Sequence, residues 1–171
     1  MPPEKNIYIL IGQKGSGKTL IGTIIQELYG ITFVRVEDIA RKVKKNREIE
    51  DESYLNEVFT EIESHLRNIL KNRTDIVFES TGLTTHFDRM LKNLKQDFRV
   101  ISIAVKADPE LCLKRIKNRD QSIHINVSDN EAIYINSLVR KKNMECNFEI
   151  NNDGGREEVV SALGNIFDRK E

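Results

Sequence analysis

The sequence has little of what marks secreted, membrane-spanning or nucleic-acid-binding proteins. Its 171 residues include no tryptophan and only two cysteines, and no apolar run approaches the roughly 18 residues that span a membrane. The N-terminus lacks the apolar stretch of a signal peptide, so we expect a cytoplasmic protein. The 27 Lys and Arg residues balance 27 Asp and Glu residues, which argues against a general nucleic-acid binder because such proteins usually carry a basic excess.

Cysteine and histidine are too scattered for a metal site or a disulfide framework. Cys112 and Cys146 belong to no C-x-x-C motif and have no histidine close in the sequence, so we expect two reduced, buried thiols. His65, His86 and His124 show no metal-ligand spacing with one another or with a cysteine. The sequence therefore predicts no zinc site.

Short apolar runs alternate with longer helical patterns, as in a parallel sheet wrapped by helices. The first run, at residues 7–11, is apolar throughout, which is typical of a strand buried on both faces. A length of 171 residues suits one domain with its own core. We predict a single α/β domain over residues 1–171, with strands at 7–11, 31–36, 76–78, 98–105 and 147–150.

Caps and apolar spacing mark the helices. Apolar residues repeat at three- and four-residue steps over 53–70, which predicts a long amphipathic helix there. Further helices are expected at 18–29, ended by Gly30, and at 156–167. The predicted helix starts are Asp108 before Pro109, Ser128 with Glu131 at capping-box spacing and, more loosely, Thr85 with Asp88.

One motif carries a specific chemistry. Residues 12–19 fit G-x-x-x-x-G-K-[ST], the phosphate-binding P-loop, and lie between a buried strand and a helix, as the motif requires. Glycines let the backbone N–H groups turn toward phosphate oxygens, and the helix N-terminus adds its positive dipole end. Lys18 supplies a charge to the β- and γ-phosphates, and the Thr19 hydroxyl suits Mg²⁺. The predicted nucleotide-binding residues are Gly12, Gln13, Lys14, Gly15, Ser16, Gly17, Lys18 and Thr19.

With this motif near its N-terminus, the chain resembles the small P-loop kinases of the shikimate kinase and nucleoside or nucleotide kinase group. The order of features is similar over nearly the whole length: P-loop, acidic end of the second strand, end of the third strand, arginine-rich lid. The resemblance implies a three-layer fold, a five-stranded parallel sheet with helices on both faces. It also implies ATP on the P-loop and an acceptor across the carboxyl ends of the strands, where α/β sheets bind ligands.

Three departures from the shikimate kinase pattern fall at positions that bind the acceptor in shikimate kinases. The Asp-x-Asp pattern at the end of the second strand is replaced by Arg35 and Glu37. The Phe-Arg-x-x-Glu pattern that grips the shikimate carboxylate becomes 59–63 without the arginine, and the glycine triplet becomes Ser80-Thr81-Gly82. The phosphoryl-transfer half is kept and the acceptor half is changed, which argues against shikimate itself as the acceptor.

Three carboxylates stand where strands are predicted to end. Glu79 follows the apolar run 76–78, where P-loop proteins often hold magnesium-bound water; the alternative is an exposed turn residue. Glu37 or Asp38 could accept the proton of the acceptor, as a positioned carboxylate does in other kinases. For Asp38 the alternative is an N-cap of a helix that begins at Ile39. The sequence leaves open which of the three is catalytic.

Two polar turns and one charged segment are further candidates. Ser80, Thr81 and Gly82 either donate hydrogen bonds to the acceptor or merely start the next helix. The glycine-rich turn after the last strand, including Asn152, borders the adenine ring in the resembled kinases, or it is an ordinary strand-to-helix turn. The segment 41–52 changes from basic to acidic, and it is either a solvated helix end or a segment that faces the substrate.

Arginines follow the fourth strand. Arg115 and Arg119 are four residues apart on one helical face, and in the resembled kinases a helix here leads into a lid whose arginines reach ATP and the transferring phosphoryl group. A guanidinium group suits that task because its fork binds phosphate oxygens bidentately; the alternative is a solvent-facing pair. The lid is expected at about 119–129, with His124 as a possible substrate contact. Arg140, in the next helix, is a candidate for similar work.

These features predict an ATP- and Mg²⁺-dependent kinase that moves the γ-phosphoryl group to a hydroxyl or phosphate of a small molecule. The alternative is a nucleotide-binding switch or regulatory module with little or no kinase activity. A GTPase would need an Asn-Lys-x-Asp motif, which the sequence lacks. A polynucleotide 5′-end kinase stays possible, without support from the neutral charge. The sequence names neither the acceptor nor the oligomeric state.

Overall fold

The carboxyl ends of five parallel strands form one edge of a single sheet. The structure is a computed structural model, and it describes residues 3–44, 52–119 and 127–168. The strand order across the sheet is β2-β3-β1-β4-β5. The strands are β1 (Asn6–Gly12), β2 (Thr32–Val34), β3 (Asp75–Ser80), β4 (Arg99–Lys106) and β5 (Phe148–Asn151). Because β1 is central, the loop that follows it opens at the middle of this edge.

Helices connect the strands and cover both faces of the sheet. They are α1 (Lys18–Tyr29), α2 (Val36–Lys44), α3 (Glu52–Ile69), α4 (Thr85–Asp97), α5 (Pro109–Asn118), α6 (Asp129–Lys142) and α7 (Arg156–Phe167). The α/β fold with a five-stranded parallel sheet is the one that the sequence predicts.

Alternation along the central strand separates two cores. Ile7, Ile9 and Ile11 of β1 pack into one cluster with apolar residues of α3 and α4. Leu10 points to the opposite face and packs with residues of α1 and α7, such as Ile24. Side chains on both faces of the strand therefore pack into a core, which explains why its residues 7–11 are apolar throughout.

Several predicted helix ends are confirmed. Gly30 ends α1 with φ of 66°, a left-handed conformation that glycine adopts without a steric penalty. The carboxylate of Asp108 accepts hydrogen bonds from two amides of the first turn of α5, at 2.9 and 3.2 Å. Ser128 and Glu131 form the expected capping box at the start of α6.

Other predicted boundaries were wrong. β2 ends at Val34 and α2 already begins at Val36, so Asp38 lies in the first helical turn and does not cap a helix that begins at Ile39. The N-cap of α4 is Thr84, whose side chain accepts a bond from the Phe87 amide, rather than the pair Thr85 and Asp88. β3 continues through Glu79 to Ser80 because these residues still pair with β1.

The sequence predicts two reduced, buried thiols. Cys112 and Cys146 are free thiols; the first is buried and the second partly buried. Burial raises the pKa of both thiols.

Within residues 3–44, 52–119 and 127–168, no helix combines the length and the apolar character needed to cross a membrane.

Candidate active site

The P-loop lies between the carboxyl end of β1 and the start of α1, and its shape requires glycine. Gly15 and Gly17 have φ of 81° and 98°, in the left-handed region. A Cβ at Gly15 would lie 2.2 Å from the Cys112 carbonyl oxygen, and a Cβ at Gly17 would lie 2.1 Å from Nδ2 of Asn152. The loop can therefore sit against α5 and the turn after β5 only because both side chains are absent.

Lys18 is the buried cation at the centre of the loop. Its Nζ donates to the carbonyl oxygens of Gly12 and Gln13 at 2.8 and 2.7 Å, and lies 3.9 Å from Oε2 of Glu79. Burial lowers the pKa of Lys18 to about 8, and the negative charge of Glu79 opposes that shift. A poorly solvated ammonium held by neutral carbonyls is a strong site for an anion.

Two further observations show that the loop suits a phosphate. Ser16 is fully buried, and its Oγ has no hydrogen-bond partner within the described part of the chain. Buried hydroxyls are normally satisfied, so an unpaired one inside an anion-binding loop is expected to find its acceptor in a ligand. Together with the curled backbone and Lys18, this donor fits the phosphates of a nucleotide.

Oxygen ligands for a divalent cation lie beside the loop. Glu79 is buried in β3, next to Leu10 of β1 in the strand register, and Thr19 is the second residue of α1. Carboxylate and hydroxyl oxygens are the ligands that Mg²⁺ prefers, and Mg²⁺ usually takes only one or two of them from the protein. Among the described residues no cluster of three His, Cys, Asp or Glu side chains forms a metal site. The oxygens present fit a magnesium ion shared with nucleotide phosphates.

The turn after β5 and the end of α5 support the loop from one side. Nδ2 of buried Asn152 donates to the Ser16 carbonyl at 2.8 Å. Arg115 donates to the Gly15 and Ser16 carbonyls at 3.4 and 3.3 Å, and to the Asn152 carbonyl at 2.7 Å. Arg115 is thus placed against the P-loop, and the side chain of Asn152 rather than its backbone meets the loop.

Helix α6 supports the loop from the other side. Asn136, which is 2% exposed, accepts from the Lys14 amide at 2.8 Å and donates to the Lys14 carbonyl at 3.0 Å. Arg140, one turn further along α6, donates to the Gln13 side chain at 2.8 Å. Gln13 in turn donates to the Ala107 carbonyl after β4 at 3.2 Å.

Charged groups from four elements meet around Lys14. Burial lowers the pKa of Lys14, the negative charges of Glu37 and Glu79 oppose this shift, and the positive charge of Arg119 adds to it. These effects place Glu37 of α2, Glu79 of β3 and Arg119 after α5 within electrostatic range of Lys14 in the P-loop. Asp38 is exposed on α2.

The polar turn after β3 lies on the side away from Arg115. Ser80 Oγ accepts a hydrogen bond from the Gly82 amide at 3.0 Å, and Lys142 of α6 donates to the Gly82 carbonyl. Thr81 lines a cavity of about 50 Å³ together with Arg140 and Lys142. The predicted acceptor residues Ser80, Thr81, Gly82 and Arg140 are therefore gathered at the same edge of the sheet.

Some predicted features lie outside the described residues. These are most of the lid, including His124, and residues 45–51 of the charged segment. Within the described part of that segment, Arg41 and Lys42 are exposed in the last turn of α2. His86, the second residue of α4, is buried, with Nε2 2.8 Å from Oε2 of Glu52.

Asn136 is the site residue that sequence reasoning missed. Its partner Lys14 is 122 residues away, so no local pattern connects them. The available signal was a polar residue four positions after Ala132 on the buried face of α6. A buried asparagine at such a position needs partners, which the P-loop backbone provides.

Comparisons with known proteins agree with this architecture. A family model described as an AAA domain matches residues 7–132. A shikimate kinase of Staphylococcus epidermidis is 26% identical over 141 residues, which is 77% of this chain and 78% of that protein.

Two solved structures share the fold. The shikimate kinase from Acinetobacter baumannii in complex with shikimate has a TM-score of 0.63 and 22% identity, covering 98% of this chain and 95% of that one. The Mycobacterium tuberculosis APS kinase in complex with AMPPNP and APS has a TM-score of 0.64 and 11% identity, covering 98% and 100%. The resemblance to small P-loop kinases is confirmed, and those kinases bind different acceptors on one fold.

Proposed function

This chain belongs to the AAA domain family of P-loop proteins, and on that basis we propose that it is an ATP- and Mg²⁺-dependent kinase. It transfers the γ-phosphoryl group to a hydroxyl or phosphate of a small molecule. The observation that carries the proposal is buried Lys18, held by two P-loop carbonyls with Glu79 3.9 Å away. A cation and a carboxylate at this edge are the parts that phosphoryl transfer needs.

The donor side binds and orients the nucleotide. Backbone amides of the P-loop and the Ser16 hydroxyl donate to phosphate oxygens, and Lys18 turns its ammonium from the loop carbonyls to the β- and γ-phosphates. Thr19 and Glu79 would hold Mg²⁺, which supplies neutralisation of phosphate charge when bound. Catalysis on this side is positioning and charge stabilisation, with no covalent bond to the protein.

The acceptor side orients the attacking group. Glu37 lies within electrostatic range of Lys14 and is placed to accept the proton of an acceptor hydroxyl; Asp38, exposed on the same helix, is the weaker candidate. The turn at Ser80, Thr81 and Gly82 offers hydrogen bonds, and Arg140 borders the cavity beside Thr81.

Arginines complete the site as charge stabilisers. Arg119 acts on Lys14 electrostatically, and it leads directly into the lid proposed at about 119–129. Arg115, already bonded to the P-loop carbonyls, is placed to contact the nucleotide as well.

The test is ATP consumption by the purified chain against a panel of nucleosides, nucleotides, sugars, sugar acids and shikimate. We expect at least one small molecule to raise turnover well above hydrolysis in water. Lys18→Ala is the inactive control, because it loses the fixed cation while the fold, checked by circular dichroism, stays intact. Uniform basal hydrolysis across the panel would instead favour the nucleotide-binding switch.

A further inference from the structure

Asn136 makes a bond pair with the P-loop that resembles one rung of a β-ladder. Its side-chain amide accepts from the Lys14 N–H at 2.8 Å and donates to the Lys14 C=O at 3.0 Å. An asparagine that uses both ends of its amide on one residue fixes the position and the rotation of that residue's backbone. The side chain is 2% exposed, so water does not compete for either bond.

The bond pair fixes the backbone that carries the Lys14 side chain. Two side chains of α6 hold this part of the loop: Asn136 bonds the Lys14 backbone, and Arg140 donates to the Gln13 side chain. Within the described residues the Lys14 ammonium has no hydrogen bond or ion pair. Glu37 and Arg119 on the acceptor side, and Glu79 beside Lys18, all act on its charge. Lys14 belongs to the phosphate-binding loop, and its charge also acts on Lys18, so its ammonium is a second cation of that loop.

We propose that Asn136 is a positioning residue for phosphoryl transfer, which acts by aiming Lys14 as a second cation at the transferred phosphoryl group. The proposal rests on the proposed kinase function. Lys18 holds the β- and γ-phosphates from within the loop, and Lys14 neutralises charge that develops on the outer side during transfer.

The first experiment measures Asn136→Ala with Asn130→Ala as the matched control. Asn130 is the same residue type on the same helix and is exposed. We expect Asn136→Ala to lower kcat by ~10-fold, because the loss of two buried hydrogen bonds frees the Lys14 backbone. ADP affinity by calorimetry should stay within ~3-fold, since Asn152, Arg115 and Lys18 still support the loop. Asn130→Ala should match the wild type in both.

The second experiment is a double-mutant cycle with Lys14→Met. If Asn136 acts through the Lys14 ammonium, Asn136→Ala lowers kcat by less than ~2-fold once that ammonium is gone. If Asn136 merely supports the fold, its effect multiplies with that of Lys14→Met. Multiplying effects, or an Asn136→Ala variant with wild-type kcat, would overturn the proposal.

Two further measurements keep the outcome clear. Asn136→Asp keeps an acceptor for the Lys14 N–H but cannot donate to its C=O, so it serves if the alanine variant does not fold, and we expect an intermediate loss of kcat. Hydrolysis of ATP in water is followed in every variant beside the acceptor reaction. If the wild type phosphorylates no acceptor, the proposed kinase function is wrong. The double-mutant cycle then uses rates of ATP hydrolysis, so the role of Asn136 is still tested.

Discussion

The nucleotide side and the acceptor side of this site are built differently. On the nucleotide side, polar groups from α5, α6 and the turn after β5 hold the P-loop backbone, and two of them, Asn136 and Asn152, are buried at 2% and 4% exposure. On the acceptor side, Glu37 is half-buried, Asp38 is exposed, and the turn at Thr81 is only partly covered. The first side is held by buried hydrogen bonds, and the second is more exposed to water.

The difference teaches where specificity resides. ATP chemistry is the same in every P-loop kinase, so the groups that hold phosphate can be fixed by the fold. The acceptor differs between such kinases, and it is read by a few side chains at strand ends, which change without disturbing the sheet. The three departures from the shikimate kinase pattern, at Arg35, at 59–63 and at 80–82, are at positions that the resemblance assigns to the acceptor.

The largest effect is expected for alanine variants of Arg119 and Arg115, which should differ in ADP affinity. Arg119→Ala should slow phosphoryl transfer by ~10³-fold and leave ADP affinity nearly unchanged, because its charge acts on the acceptor side. Arg115→Ala should also weaken ADP binding, because Arg115 bonds the P-loop carbonyls. Pre-steady-state transfer rates and calorimetry distinguish the two, with exposed Arg73→Ala as control. Lysine at either position should rescue little, since a point charge lacks the fork.

Rates of transfer within about twofold of the wild type in both variants would return these arginines to a purely structural role.

Smaller effects are expected for Glu79→Gln and Glu37→Gln, which should change different kinetic parameters. Glu79→Gln should raise the Mg²⁺ concentration needed for half-maximal turnover by ~10-fold while sparing nucleotide binding. Glu37→Gln should instead lower turnover at saturating ATP by ~10- to 100-fold, as expected for a group that takes the proton of the acceptor. Steady-state kinetics over Mg²⁺ and acceptor concentration measure both. Wild-type kinetics in both variants would make these carboxylates structural and would contradict the site described here.

The smallest effect is a pH dependence of nucleotide affinity. Lys18 has a pKa of about 8 in the ligand-free protein because of burial, and a bound phosphate favours the charged form and raises that pKa. Binding therefore takes up a proton above pH 8, and affinity for ADP should fall by up to ~10-fold per pH unit there. Calorimetry between pH 7.5 and 9.5 tests this, with Lys18→Met as the variant that should lose the slope. An affinity that is flat over this range would contradict a titrating Lys18.

Much of the fold was predictable because its signals are local. The bounds of α1 and α7 agree with the sequence prediction, since apolar spacing and glycine caps act within a few residues. β2 was predicted too long, because Arg35 and Val36 continue an alternating pattern while their backbone already turns into α2. Short strands and helix starts share residues, so pattern alone cannot separate them.

The site was predictable only where one motif contains it. The P-loop and Lys18 come from eight consecutive residues, and Glu79 from the end of one strand. The bonds that brace the loop join residues about 100 to 136 positions apart, such as Arg115 to Gly15 and Asn152 to Ser16. Such contacts depend on the order of strands in the sheet, which a local sequence pattern does not encode.

Burial of Lys18 also links the nucleotide to the stability of the chain. Its pKa is about 8 in the folded chain and about 10.5 for an ordinary solvated lysine, so the unfolded chain holds this proton more tightly. Below pH 8 the difference destabilises the ligand-free fold by ~3 kcal/mol, and the loss is recovered as pH rises from about 8 toward 10.5. A bound phosphate adds negative charge beside the ammonium and offsets this cost at neutral pH. The ligand is therefore part of the folding energetics of this protein, which is most resistant to unfolding when it is loaded.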